Sequence, residues 1–272
     1  MHSEFLHKTI VKLIKKQLFN FWVIFRGSVS FLIFAITSQF FTLLIVLPFS
    51  TKRSNTNLFY ARLLRNFTVF WNITNFNMRF KHINRRKNIF DTPSLIVCNH
   101  QSVLDATVAI AFTSKMCVIN NNWHNNAWAR FFILKYIRFY PIDMEKDALV
   151  EALQPSITAG FPVLIFPEGV MNTKENIGRF HKGGFYLASK LQIDIQPVVI
   201  HYSKNIFSWK WYFMKNGKVT IKYLDRVKFG SKEYGDSYQE LTKNVSTIMR
   251  AENLSLATEA EKQNELTAKN KN

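Results

Sequence analysis

The sequence predicts an α/β protein, a mostly parallel sheet flanked by helices and preceded by helices that meet a membrane. Three observations carry this. From about residue 90 onward, short apolar runs alternate with segments of helical length, the pattern of βα units around a parallel sheet. Ahead of them lies "GSVSFLIFAITSQFFTLLIVL", Gly27 to Leu47, without a charge. At about 1.5 Å per residue, a helix of that length matches the roughly 30 Å core of a bilayer. Finally, the formal charge of +18 is concentrated in the same apolar third: residues 1–90 hold fourteen Lys or Arg and one acid, Glu4.

A large positive charge asks for an anionic partner. Basic and apolar character in one segment points to an anionic membrane surface, and no motif points to nucleic acid. Cleavage as a secretory signal is excluded, because the apolar run is too long and ends in "LPFSTKR" without a small-residue cleavage site. Basic residues flank the run on both sides, so they do not orient it. A single span and a shallow pair of helices, Lys12–Arg26 and Gly27–Leu47, both fit. The pair is favoured because it keeps both basic flanks at one surface. Two cysteines, Cys98 and Cys117, sit in apolar runs and read as buried small hydrophobes of a body in a reducing compartment.

Residues 57–76 carry apolar residues at helical spacing and read as an amphipathic helix along the membrane surface. "KHINRRKN", 81–88, reads as a basic loop. Strands are expected at 94–99, 115–120, 161–166, 194–200 and 217–224. Helices are expected at 103–112, 126–139, 145–160, 182–192 and 234–255. The organisation is then a membrane-anchoring segment over 1–56, a body over 57–256 and a polar, disordered tail over 257–272.

"CNHQSVLD", 98–105, places Asn99, His100 and Asp105 at the mouth of an apolar segment. With seven His and seven Asp in the chain, one His-x-x-x-x-Asp pair is weak evidence by itself. Five residues apart on a continuous helix, the two side chains point about 140° apart and cannot touch. They meet only if His100 lies in a turn and Asp105 in the first helical turn, with Ser102 as N-cap. The helix dipole then favours the ionised carboxylate, which can fix the imidazole tautomer. The competing reading makes Asn99 and Ser102 turn and cap residues, with His100 incidental.

A second stretch decides. "VLIFPEGVMN", 163–172, is a buried strand that ends in Glu168 and Gly169, where α/β proteins place ligand-binding groups. "RFHKGGFYLA", 179–188, follows: Arg179 and Lys182 precede Gly183 and Gly184 at a helix start, which suits a phosphate-like ligand.

"NHQSVLD", "FPEG" and "HKGGFYLA", with "PID" (141–143) and "IQPVVI" (195–200), resemble the PlsC-like glycerophospholipid acyltransferases, which include the 1-acylglycerol-3-phosphate acyltransferases. The resemblance covers about residues 90–200 and implies the glycerolipid acyltransferase fold. It implies transfer of a fatty acyl group from acyl-CoA or acyl-ACP to a lysophospholipid, with lysophosphatidic acid first among acceptors. The catalytic pair would be His100 and Asp105. Asn99, Glu168, Gly169, Arg179, Lys182 and Gly183 would be the substrate-binding residues. No metal and no cofactor beyond the co-substrate is implied. The partners are the bilayer, the lipid acceptor and the acyl donor; the Asn-, Lys- and Ile-rich composition suggests a bacterial source, and the body is expected on the cytoplasmic side of the inner membrane.

Two departures from the family pattern stand out. Met144 occupies a position often held by Arg, and Val170, Met171 and Asn172 follow Gly169 where Thr-Arg-Ser is common. Arginine suits an exposed phosphomonoester, so Lys174, Arg179 and Lys182 are expected to substitute, or the acceptor is a phosphodiester lysolipid. The alternative from another class is a non-catalytic basic membrane-binding protein.

Overall fold

The computed structural model describes residues 2–46, 53–74, 77–102, 104–120, 138–172, 176–203, 207–208, 213–214 and 217–269. In chain order these form α1 (His2–Val46), α2 (Arg53–Thr74), β1 (Met78–Ile83), β2 (Ser94–Cys98), α3 (Leu104–Ile110), β3 (Cys117–Asn120), β4 (Arg138–Pro141), α4 (Lys146–Thr158), β5 (Val163–Ile165), α5 (Gly183–Leu191), β6 (Asp194–Tyr202), β7 (Phe207–Ser208), β8 (Phe213–Met214), β9 (Gly217–Tyr223) and α6 (Tyr238–Lys269).

Seven strands form one sheet in the order β1-β9-β6-β2-β5-β3-β4. Its pairings are parallel except β6 with β9. The expected α/β architecture is therefore present. β2 lies between β5 and β6, and all five of its residues are buried. A strand covered on both faces has no polar side, which is why "SLIVC" reads as an unbroken apolar run.

Alternation along the strands divides the core in two. Leu95, Val97, Ile165 and Ile195 pack on one face with Leu153 of α4, Phe185 of α5 and Leu241 of α6. Ile96, Cys98, Leu164 and Ile200 pack on the other with Leu104 and Val108 of α3. The helix after β2 thus covers one face, and the helix after β5 covers the opposite face. Neighbouring strands whose connections leave to opposite faces open a crevice beyond their carboxyl ends.

Several elements differ from expectation. α1 is one continuous helix of 45 residues, not a pair broken at Arg26–Gly27. No proline interrupts it, and Gly27 serves close approach instead: a Cβ there would lie 3.2 Å from Asn77 Nδ2. Part of the basic loop at 81–88 is strand, because β1 is an edge strand whose polar residues face solvent. The helix expected at 126–139 falls outside the described residues up to 137, and Arg138–Pro141 is β4. α6 continues to Lys269 through the expected polar tail, which is rich in Ala, Glu, Lys, Gln and Leu, all good helix formers.

α1 meets the body near its own midpoint. Asn77 Nδ2 donates to Val23 O at 3.3 Å, and Val23 and Ser30 are buried. Gly217 N donates to Asn77 O at 2.9 Å, at the start of β9. Because β9 runs antiparallel to β6, with Tyr202 opposite Val219, this attachment lies at the carboxyl end of β6. Phe19, Phe21, Trp22, Phe25, Phe31 and Leu32 of α1 are exposed. Thr9–Thr37 is long and apolar enough to cross a membrane.

α5 ends on Gln192 in the left-handed conformation at φ 53°, where a side chain is strained and glycine is favoured. Gln192→Gly is expected to stabilise the fold by about 0.5–1 kcal/mol, read as a higher midpoint in chemical denaturation of the detergent-solubilised chain.

Candidate active site

β2 ends at Cys98, and Asn99 fastens the chain that leaves it. Its Nδ2 donates to Ile200 O at 2.9 Å, and its Oδ1 accepts from Ile200 N at 2.8 Å. The amide imitates a strand partner, so the end of β2 is locked to β6, and the side chain has no exposure. His100 follows in the turn.

Asp105 lies in the first turn of α3, fully buried. Its Oδ2 accepts from His100 Nδ1 at 2.9 Å, Gln101 N at 2.7 Å and Ser102 N at 2.8 Å. Its Oδ1 accepts from the Tyr202 hydroxyl at 2.5 Å. Ser102-Val103-Leu104-Asp105 forms half of a capping box, in which the acid reaches back to the N–H of Ser102. The Ser102 hydroxyl oxygen accepts from Leu104 N at 3.2 Å. Capping and the His100 contact are thus made by the same carboxylate, so the two competing readings of "NHQSVLD" describe one geometry.

A carboxylate offers only acceptors to the histidine, so Nδ1 carries the proton and Nε2 the lone pair. The Phe166 ring lies 4.6 Å from the imidazole, tilted by 31°, and covers one side of it. The His100 side chain keeps 24% exposure, enough for a substrate to approach.

Glu168 is the second buried carboxylate. Its Oε1 accepts from His100 N at 2.8 Å. Its Oε2 accepts from Gly178 N at 2.8 Å and Asn172 Nδ2 at 3.3 Å. Asn172 N in turn donates to His100 O at 2.7 Å. Both main-chain polar groups of His100 are therefore held by the loop after β5. Two glycines permit this closeness. A Cβ on Gly178 would stand 2.8 Å from Glu168 Oε2, and Gly169, at φ +70°, would meet His181 at 3.1 Å. Arg250 of α6 braces the same loop from outside, donating to Ile177 O at 3.2 Å and Gly178 O at 2.6 Å.

Arg179 and Lys182 are exposed on this loop, Lys182 directly before α5. Gly183 has open space where a Cβ would project, whereas Gly184 abuts Ile165. Met144 is partly buried against the core, and Lys174 lies outside the described residues. The loop after β5 and the turn after β2 thus bring His100, Asp105 and Glu168 together. Tyr202, Gly178 and Arg250 join them without any motif to announce them, because their contacts form only when distant segments meet.

Burial and then the charge of Asp105 push the Cys98 thiol well up. It is an inert core residue and not a nucleophile. No group of three or more His, Cys, Asp or Glu suited to a metal occurs among the described residues.

The α/β fold thus sets a buried Asp105, in contact with His100, at the mouth of β2, and comparison with known proteins gives the class. Residues 77–201 match the Acyltransferase family model. A 1-acyl-sn-glycerol-3-phosphate acyltransferase of Helicobacter pylori is 30% identical over 166 residues, covering 58% of this chain and 67% of that protein. Human 1-acyl-sn-glycerol-3-phosphate acyltransferase beta is 25% identical over 158 residues, 56% of this chain and 57% of that protein. The crystal structure of the 1-acyl-sn-glycerophosphate (LPA) acyltransferase PlsC from Thermotoga maritima superposes with a TM-score of 0.64 at 18% identity, covering 89% of this chain and 97% of that one, and shows the shared fold. The chain belongs to the PlsC-like glycerophospholipid acyltransferase family. It spans less than two thirds of the length of some curated relatives, 57% for the human protein and 65% for one from Caenorhabditis elegans.

Gly178→Ala is expected to push Glu168 off its donors and to destabilise the fold by about 1–3 kcal/mol. Gly183→Ala, whose Cβ meets nothing, should change it by less than about 0.5 kcal/mol. Thermal unfolding of the two variants side by side checks the contrast.

Proposed function

We propose that this chain transfers a fatty acyl group from acyl-CoA or acyl-ACP to the free hydroxyl of lysophosphatidic acid, giving phosphatidic acid. The observation that carries the reading is the 2.9 Å contact of His100 Nδ1 with Asp105, which leaves the lone pair of a neutral ring on Nε2, in a side chain that keeps partial exposure. A hydroxyl is a poor nucleophile, and a base that takes its proton during attack lowers the barrier. His100 Nε2 accepts that proton as the oxygen bonds to the thioester carbonyl carbon. The tetrahedral intermediate then expels the thiolate, which takes the proton back from the imidazolium. Asp105 fixes the tautomer and stabilises the charged ring. No acyl-enzyme forms, which fits the buried, protonated thiol of Cys98.

In this reading Asn99 and Glu168 hold His100 rather than touch the acceptor, since their polar atoms are engaged by protein donors and acceptors. Gly169 shapes the loop. Arg179, Lys182 and the helix start at Gly183 are left to meet the acceptor phosphate. The relatives' names support lysophosphatidic acid. A phosphodiester lysolipid is the second reading, favoured by Met144 and Met171 where the family often has arginine.

Membrane binding belongs to the same proposal. α1 is about 67 Å long at 1.5 Å per residue, and it meets the body near its midpoint. Were it upright across a bilayer, the polar body would sit at the level of the lipid tails. A helix lying along one leaflet instead sets the carboxyl end of the sheet against the lipid surface. Both cysteines are free, which fits a body on the cytoplasmic side.

His100→Ala should lower acyl transfer by at least about 10³-fold with folding intact, and Cys98→Ala should retain it. The assay offers labelled acyl-CoA with lysophosphatidic acid, lysophosphatidylcholine, lysophosphatidylethanolamine or lysophosphatidylglycerol in parallel. Preference for lysophosphatidic acid is expected. An active His100→Ala protein would remove His100 as the base.

A further inference from the structure

The carboxylate of Asp105 is bonded unevenly. Three donors converge on Oδ2, while Oδ1 takes the hydroxyl of Tyr202 at 2.5 Å. Tyr202 is the last residue of β6 and lies one position beyond the segment matched by the family model. Its main chain pairs with Val219 of β9, and its ring packs against the core face that α3 covers. The phenol therefore reaches Asp105 from a different strand, 97 residues further along the chain.

We propose that Tyr202 is a positioning residue for acyl transfer: its hydroxyl anchors Asp105 Oδ1, so that Oδ2 stays on His100 Nδ1 and His100 Nε2 stays aimed at the acceptor hydroxyl. This rests on the assignment of His100 as the base.

A carboxylate can turn about its Cβ–Cγ bond, and three donors at one oxygen do not by themselves stop it. A donor on the second oxygen fixes the plane. Asp105 has no exposure, so protein groups must supply what solvent would otherwise give. The phenol suits the task because it remains a donor. Burial and then the Asp105 charge push its ionisation well above the ordinary tyrosine range, while a hydrogen bond with the Ser102 side chain acts in the opposite direction. Tyr202, Asp105 and His100 thus form a continuous polar chain from the end of β6 to the base. Among the described residues, the Cys98 thiol, held neutral by burial, also feels the Asp105 charge, and Glu168 reaches His100 through its main-chain N–H.

A purely structural Tyr202 would need only its ring, which phenylalanine preserves. Y202F therefore separates the two roles. Without the phenol, Oδ1 holds more uncompensated negative charge beside the imidazolium, and the carboxylate is free to turn. The full-length wild type, Y202F and His100→Ala are assayed in detergent-lipid micelles with acyl-CoA and lysophosphatidic acid, across pH. For Y202F the expected result is a fall in kcat of about tenfold or more, in line with loss of a charged hydrogen bond. KM for the acceptor should stay within about twofold, and the acid limb of the kcat/KM profile should move to higher pH. Y202F with wild-type kcat and a wild-type acid limb, beside an inactive His100→Ala, overturns the role of Tyr202 and leaves the base assignment standing. An active His100→Ala overturns both. Should Y202F fail to fold, 3-fluorotyrosine at position 202 keeps the hydroxyl and makes it a stronger donor. The acid limb should then move to lower pH, and an unmoved limb overturns the proposal.

Discussion

A buried carboxylate must find in the protein the donors it has lost from water, and Asp105 finds four. That requirement organises the centre of the molecule. The donors come from the turn after β2, the cap of α3 and the end of β6, so these three segments have one mutual placement in which the charge is satisfied. Removing any of them leaves an under-bonded charge in a region of low dielectric, where the penalty is greatest. The fold is thus most strongly specified at the place where its chemistry is proposed.

Glu168 repeats the device one strand away. It bonds the backbone of His100 and of Gly178, closing the loop after β5 onto the turn after β2. Neither carboxylate is spent on solvent, and each holds backbone as well as a side chain. The exposed charges lie outside this frame: Arg179 and Lys182 stand on the same loop without a part in the network described around Glu168. Polar bonding beneath and exposed cationic side chains above suit the proposed site, in which one base is held still beside a charged lipid headgroup.

The parts legible from sequence were those whose signals are local. β2, β5 and β6 are buried on both faces and read as plain apolar runs. His100 and Asp105 meet within one turn and a helix start, so spacing alone could say how they would touch. β1 was hidden because "MRFKHI" is an edge strand, half polar, and resembles a loop. The continuous α1 was hidden because Arg26 and Gly27 look like a break, whereas the glycine serves contact with Asn77. The polar stretch after residue 257 has few apolar residues to mark a buried face, although its helix propensity is high. The bond of Asn99 to Ile200 is hidden because nothing in "CNHQ" reveals a partner 101 residues away. Tyr202, Gly178 and Arg250 share that concealment.

The order of strands bears on what counts as a transplantable unit. The family-matched segment ends at residue 201, yet β9, which comes after it, lies in the sheet between β6 and β1. A chain cut at 201 would leave those two strands with an empty lane between them and two unpaired edges facing it. It would also lose Arg250 from behind the Glu168 loop. The motifs occupy a compact stretch of sequence, but the object that folds is not that stretch, and a hybrid enzyme joined at the motif boundaries would inherit the chemistry without its frame.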